Sequence, residues 1–175
     1  MLADIAETFG NLRRINMKLN PKKCSFGVEE GKFLGYMVTS EGIRANPRKT
    51  KAIAQMKSPG TLKEMQSLSG KLAALNRFLA RSAERSLPFF DTLKNITKEN
   101  KDAYKWTKEA EDAFQSLKRL ILDLPSLSTP RTKEVLYMYL AAAEGAISAV
   151  LMTEREGKQL PVHYVSRTPR EVMLR

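Results

Sequence analysis

Leu2, Ile5, Phe9, Leu12 and Ile15 recur at three- and four-residue spacing with polar residues between them, the pattern of an amphipathic helix. Asn20-Pro21 interrupts it. Two runs follow, Cys24 to Val28 and Lys32 to Thr39, separated by Glu29-Glu30-Gly31 and closed by Ser40-Glu41-Gly42; they predict a β-hairpin. Asn46-Pro47 is a helix start, with Asn46 as cap and Pro47 in the first turn, where no N–H is needed. This helix is expected to reach about Met56 and to stop at Ser58-Pro59-Gly60. Thr61-Leu62-Lys63-Glu64 is a capping box. The helix behind it carries Met65, Leu68, Leu72, Leu75 and Leu79 as one stripe, which reads as core contact and not as a cofactor box. Another short helix is expected from about Leu87-Pro88.

A polar stretch, Asn95 to Asp102, reads as a linker. Trp106-Thr107 then opens a helix with Ala110, Ala113, Phe114, Leu117, Leu120 and Ile121 on one face. Pro125 and Pro130 bracket a loop. Three strands follow, about Glu134 to Leu140, Ala146 to Thr153 and Gln159 to Ser166, with turns at Glu144-Gly145 and Glu156-Gly157. The apolar run from Val135 to Met152 could be mistaken for a membrane span, but Glu144-Gly145 at its centre divides it into two strands. The order is therefore helix, hairpin, helical cluster, linker, helix and three-stranded antiparallel meander, an α+β arrangement.

Charge changes the picture most. The net charge is +11 over 175 residues, an excess that favours a polyanionic partner. From Arg44 to Asn100 twelve Lys/Arg face four acids, 12 − 4 = +8, so the helical cluster holds most of it. Lys63, Lys71, Arg77 and Arg81 lie off the leucine stripe and are the candidate phosphate contacts. A merely solvated helix face is the alternative. Cys24 is the only cysteine and His163 the only histidine, which excludes an intrachain disulfide, a cysteine zinc site and multi-histidine metal centres. Cys24 reads as a small apolar filler and His163 as an ordinary sheet residue. Trp106 reads as a plug between helix and strands, with base stacking as the alternative. Glu109, Glu111 and Asp112 read as first-turn acids complementing the helix dipole. No secretory leader is visible in Met1 to Phe9, which carries Asp4 and Glu7, and an intracellular location is expected, with no membrane partner.

Five local patterns in order resemble the polymerase polyprotein of gypsy-type long-terminal-repeat retrotransposons. Leu19 to Phe26 (LNPKKCSF) is similar to the palm segment after the catalytic Tyr-x-Asp-Asp turn. Lys32 to Ile43 (KFLGYMVTSEGI) resembles the primer-grip hairpin, and Asn46 to Ile53 with the helices to Leu93 resembles the thumb. Tyr104 to Ile121 with Pro125 to Pro130 resembles the connector. Leu136 to Arg167 resembles the opening strands of a ribonuclease H-like domain. The resemblance implies a palm end over 1–43, a thumb-like module over 44–100, and a connector helix with an incomplete ribonuclease H-like domain over 101–175. It makes Phe33, Leu34, Gly35 and Tyr36 the primer-grip-like residues. On residue type alone, Gly35 is expected inside a strand, marking a bulge or admitting a second backbone.

The resemblance also implies two-metal chemistry on carboxylates. The polymerase carboxylates are expected upstream of Met1, and alignment places Ala141 at the first ribonuclease H aspartate. Glu144 is a poor substitute, and the remaining carboxylates are expected beyond Arg175. The implied function is primer–template binding, on RNA–DNA hybrid or duplex, without autonomous catalysis. Mg²⁺ is implied only for the complete family enzyme, with no cofactor held by this stretch, and the rest of a polyprotein is a possible partner. A stand-alone nucleic-acid-binding or interaction module stays open beside it, as does an enzyme completed by another chain. The meander is expected to be loose or aggregation-prone for want of the rest of its sheet.

Overall fold

The computed structural model describes residues 2–94, 96–97 and 99–168. Two positions of the expected linker, Asn95 and Lys98, fall outside this range, as does the expected ribonuclease H helix near Arg175. The α+β class is present. Helix α1 (Leu2–Arg14) precedes strands β1 (Gly31–Phe33), β2 (Tyr36–Thr39) and β3 (Gly42–Ala45); helices α2 (Pro47–Ala54), α3 (Leu62–Ala73), α4 (Ser82–Asp91) and α5 (Lys108–Leu122) follow, and then strands β4 (Leu127–Ser128), β5 (Leu136–Ala143), β6 (Ala146–Arg155) and β7 (Lys158–Arg167). They form a four-stranded sheet, β1-β2-β3-β4, and a three-stranded sheet, β5-β6-β7, both antiparallel. Among the described residues no helix is long and apolar enough to cross a membrane.

The caps explain the helix starts. Asn46 accepts the Arg48 amide at the head of α2, and Thr61 and Glu64 satisfy each other's backbone at the head of α3. The Thr107 hydroxyl takes the Ala110 amide at the head of α5. One core follows from them. Ile53 of α2, Met65, Leu68 and Leu72 of α3, Phe89 of α4 and Phe114, Leu117 and Ile121 of α5 pack in one buried cluster. That cluster crosses residue 100 without a break.

Several expectations are corrected. The hairpin is not formed by Cys24 to Val28 against Lys32 to Thr39. Cys24 caps a 3-10 turn at Pro21–Lys23, and the hairpin turns at Leu34-Gly35, with Phe33 paired to Tyr36. Gly35 therefore stands in a two-residue turn and not inside a strand. Leu34 and Gly35 have φ of 46° and 84°, the pair of positive values that suits the right-handed twist of a hairpin. Ser40-Glu41 turns the chain again into β3. The loop between Pro125 and Pro130 contains β4, whose pairing to β3 needs Gly42: a Cβ there would lie 2.0 Å from the Leu127 carbonyl oxygen.

The leucine stripe does not run along one helix. α3 ends at Ala73, and a 3-10 turn, Asn76–Phe78, follows. The Asn76 side chain accepts the Ser82 hydroxyl, which ties this turn to the start of α4. Leu75 and Leu79 are still buried. α4 begins six residues before Pro88, which sits in its interior and not at its start. Trp106 stacks on Phe89 at 5.7 Å and meets Phe114 edge-on at 5.8 Å, so it fills the space between two helices and not between helix and strands. Its indole N–H donates to Glu111 at 2.7 Å. The bonds from Ser58, Gln115 and Trp106 hold the Glu111 carboxyl below the usual range, which adds a structural role to the dipole one.

The β5-β6-β7 sheet is tied to the helices on one side. The Ser166 hydroxyl accepts the Ala83 amide at 3.1 Å and bonds Ser148 at 2.7 Å. Arg155 forks onto Glu134 at 2.7 and 2.8 Å and donates to the Thr129 carbonyl at 2.8 Å. β5 alone is exposed along its whole length.

Candidate nucleic-acid interface

α2 and α3 bury Ile53 and the Met65-Leu68-Leu72 stripe, so their opposite sides face outward together. Between them runs an open groove of about 410 Å³ lined by Arg48, Lys49, Ala52, Ser67, Gly70, Lys71 and Ala74. Ala52, Gly70 and Ala74 keep the floor low, and a Cβ at Gly70 would meet nothing within 4 Å. Arg48, Lys49 and Lys71 supply three positive charges at the rim. Lys71 Nζ donates to Ser67 Oγ at 2.5 Å, which steadies one of them. A low floor with cationic edges fits a sugar-phosphate strand: the backbone approaches closely while the ammonium and guanidinium groups meet its oxygens.

The hairpin turn adjoins this groove through Lys49. A Cβ on Gly35 would lie 2.7 Å from Lys49 Nζ. Lys49 Nζ lies 5.9 Å, and the Arg77 guanidinium 5.3 Å, from the centre of the Tyr36 ring, within cation–π reach. Tyr36 is fixed from below, edge-on to the buried Phe78 at 5.6 Å. Phe33 and Leu34 project into solvent on the turn. Arg77 also stands near His163, and burial first, then this cation, push the imidazole below its ordinary value.

The four cations singled out in the sequence are thus divided. Lys71 lies in the groove and Arg77 beside the hairpin. Arg77 and Arg81 are not on the capped helix. Lys63 lines a different groove, with Gly60, Lys101 and Tyr104. Arg81 caps α4 with a left-handed φ of 55° and is ion-paired to Glu84, whose carboxyl is lowered by that bond. It lines an apolar cavity of about 230 Å³ with Tyr139, Ala141, Val150 and Tyr164. Ala141 therefore presents a methyl group to a space bordered by a cation, and Glu144 sits in the turn after β5. A divalent ion implied for the complete family enzyme does not fit this set. Among the described residues no group of three or more His, Cys, Asp or Glu is placed to hold a metal.

Arg48 and Lys49 were not singled out in the sequence. A signal was present, because they put two cations and no acid in the first turn of α2, against the helix dipole.

Residues 106–173 match the model of the RNase H-like domain found in reverse transcriptase. The retrovirus-related Pol polyprotein from transposon 297 of Drosophila melanogaster is 32% identical over 167 residues, 95% of this chain. Over nearly its whole length the chain is similar to retrotransposon Pol polyproteins. The Pol polyprotein from transposon 412 of the same organism is 31% identical over 167 residues. This Pol homologue spans 13% and 15% of the length of the 412 and 297 proteins respectively. It superposes with a TM-score of 0.70, at 23% identity, on foamy viral protease-reverse transcriptase solved in complex with RNA/DNA hybrid, covering 88% of this chain and 20% of that one. The solved-structure likeness shows the fold, and residues 106–173 carry the match to the RNase H-like domain found in reverse transcriptase.

Proposed function

We propose that this Pol region grips the sugar-phosphate backbone of an RNA–DNA hybrid or duplex in the α2–α3 groove, and performs no catalysis alone. The observation that carries it is the convergence of Arg48, Lys49 and Lys71 on a floor of small residues, with the Leu34-Gly35 turn and Arg77 continuing the cationic surface at one end. On this reading the turn lies along the primer strand and the groove holds the duplex behind it. Residues 1–43, 44–100 and 101–175 correspond to palm end, thumb-like module and connector with ribonuclease H-like strands. The rest of a polyprotein supplies the chemistry. The foamy viral enzyme solved with hybrid supports this choice of ligand. Ala141 and the cation beside its cavity support the absence of hydrolysis.

Two assays on the same preparation test this. A labelled hybrid is titrated with the wild-type chain and with Lys49→Glu/Lys71→Glu, and the incubated mixtures with Mg²⁺ are run on a denaturing gel. Binding that falls at least about tenfold in the variant, with no strand cleavage by either protein, is expected: two reversed charge-assisted contacts of about 1.5 kcal/mol each exceed the 1.4 kcal/mol of a tenfold change. Equal affinity in the two proteins, or cleavage by the wild type, contradicts it.

A further inference from the structure

Lys63, Gln66, Gly70 and Ala74 follow one another at three- and four-residue spacing, so they form one stripe along α3 and its C-cap, on the side away from Met65, Leu68 and Leu72. Gly70 and Ala74 are floor of the α2–α3 groove. Lys63 and Gln66, at the other end of the stripe, line a second open groove of about 610 Å³, together with Lys101 and Asp102. The two grooves are thus consecutive along one helix.

The second groove is held in shape by the core. Tyr104 is buried in the common cluster, and its hydroxyl donates to the Pro59 carbonyl at 3.3 Å. This pins the 3-10 turn Lys101–Ala103 beside the head of α3, and both walls lie within residues 60–104. The head of α3 is capped by its own side chains. Glu64 accepts the Gly60 and Thr61 amides at 2.9 and 3.1 Å, and the Thr61 hydroxyl accepts the Glu64 amide at 3.3 Å. The sign of the groove therefore comes from its side chains: two ammonium groups, Lys63 and Lys101, against the single carboxylate of Asp102.

We propose that the nucleic-acid strand held in the α2–α3 groove continues along this stripe into the second groove, where Lys63 and Lys101 take further phosphates. The extension rests on the grip proposed above and lengthens it. Lys63 and Lys71 are eight residues apart, about 12 Å at roughly 1.5 Å per residue. A strand advances about 3.4 Å per nucleotide, so the second groove adds roughly three to four nucleotides to the site. The Gln66 carboxamide lies between the two sets of cations and can meet sugar or phosphate oxygens. Asp102 opposes the strand.

The test is the affinity of labelled RNA–DNA hybrids of increasing length, read by anisotropy, for the wild type, Lys63→Glu/Lys101→Glu and Lys49→Glu/Lys71→Glu. Lys63 stands in the first turn of α3, where a carboxylate suits the helix dipole, and Lys101 is exposed, so the first variant should keep the wild-type circular dichroism. Wild-type affinity is expected to rise with length until both grooves are filled. In Lys63→Glu/Lys101→Glu the rise should stop roughly three to four base pairs sooner. The longest hybrid is then bound about tenfold more weakly than by the wild type, and the shortest equally well. Asp102→Asn removes the opposing charge and should tighten the long hybrids alone, by roughly twofold or more. Equal affinities of the wild type and Lys63→Glu/Lys101→Glu at every length overturn the extension, as does a loss that is the same at every length. Failure of the grip itself looks different: Lys49→Glu/Lys71→Glu then binds every length as tightly as the wild type.

Discussion

Gly70 separates folding from binding. It lies on the outward side of α3, and a Cβ there meets nothing within 4 Å, so a larger residue enters the groove without displacing protein atoms. Glycine in a helix interior is about 0.8–1.0 kcal/mol less favourable than alanine, and leucine is close to alanine. Gly70→Leu should therefore stabilise the chain by roughly 0.5–1 kcal/mol. At a urea slope of about 2 kcal/mol/M that raises the midpoint by roughly 0.4 M. The same side chain rises between Arg48, Lys49 and Lys71 in a groove of about 410 Å³ and holds a phosphate strand away from all three. Losing one or two charge-assisted contacts, each worth about 1.5 kcal/mol or more, weakens binding by roughly 10- to 100-fold. Urea denaturation followed by Trp106 fluorescence, with anisotropy of a labelled hybrid, reads both effects. A more stable variant that binds hybrid as tightly as wild type refutes the groove as the contact surface.

Three further outcomes follow from the packing. Phe89→Ala removes a buried ring stacked at 5.7 Å on Trp106 and should cost about 3–5 kcal/mol; because the core is shared across residue 100, tryptophan fluorescence and far-ultraviolet circular dichroism should shift together, and two separate transitions would contradict this. Gly35→Ala puts a Cβ at φ 84° and 2.7 Å from Lys49 Nζ, so thermal unfolding should show a loss of roughly 1 kcal/mol, with weaker hybrid binding as Lys49 moves. The Glu134 carboxyl is held well below its usual value, chiefly by Arg155, and the Arg131 amide also donates to it at 2.7 Å; this stability is present above the unfolded value of about 4.3 and is lost as pH falls below it. Glu134→Gln should therefore be less stable at neutral pH and show a flatter decline in melting temperature between about pH 5 and pH 2.

What was legible in the sequence was what local chemistry decides. The caps at Asn46, Thr61 and Thr107, the apolar faces of α3 and α5, and the turns at Glu144-Gly145 and Glu156-Gly157 are short-range and show as spacing. The hairpin was misplaced because its turn depends on positive φ at Leu34 as well as at Gly35, and leucine carries no turn signal. β4 was missed because two residues are too few for a period; its partner β3 lies more than 80 residues earlier in the chain. The stripe from Met65 to Leu79 is a real core contact, but its periodicity says nothing of the 3-10 turn at Asn76–Phe78 that interrupts the helix. The cationic stretch was visible as composition. Which of its residues share a groove depends on how α2 meets α3, and that moved Lys63 and Arg81 away from Lys71 and brought Arg48 and Lys49 to it.

The decisive measurement is the salt dependence of hybrid binding for the wild type beside Lys49→Glu/Lys71→Glu. Each phosphate neutralised contributes a slope of about −0.9 in log affinity against log salt concentration. With Arg48, Lys49, Lys71 and Arg77 engaged, the wild type should show a slope of roughly −3 to −4, and the variant a slope shallower by about 2. A wild-type slope near zero, or a variant slope equal to that of the wild type, would contradict a backbone grip in the α2–α3 groove.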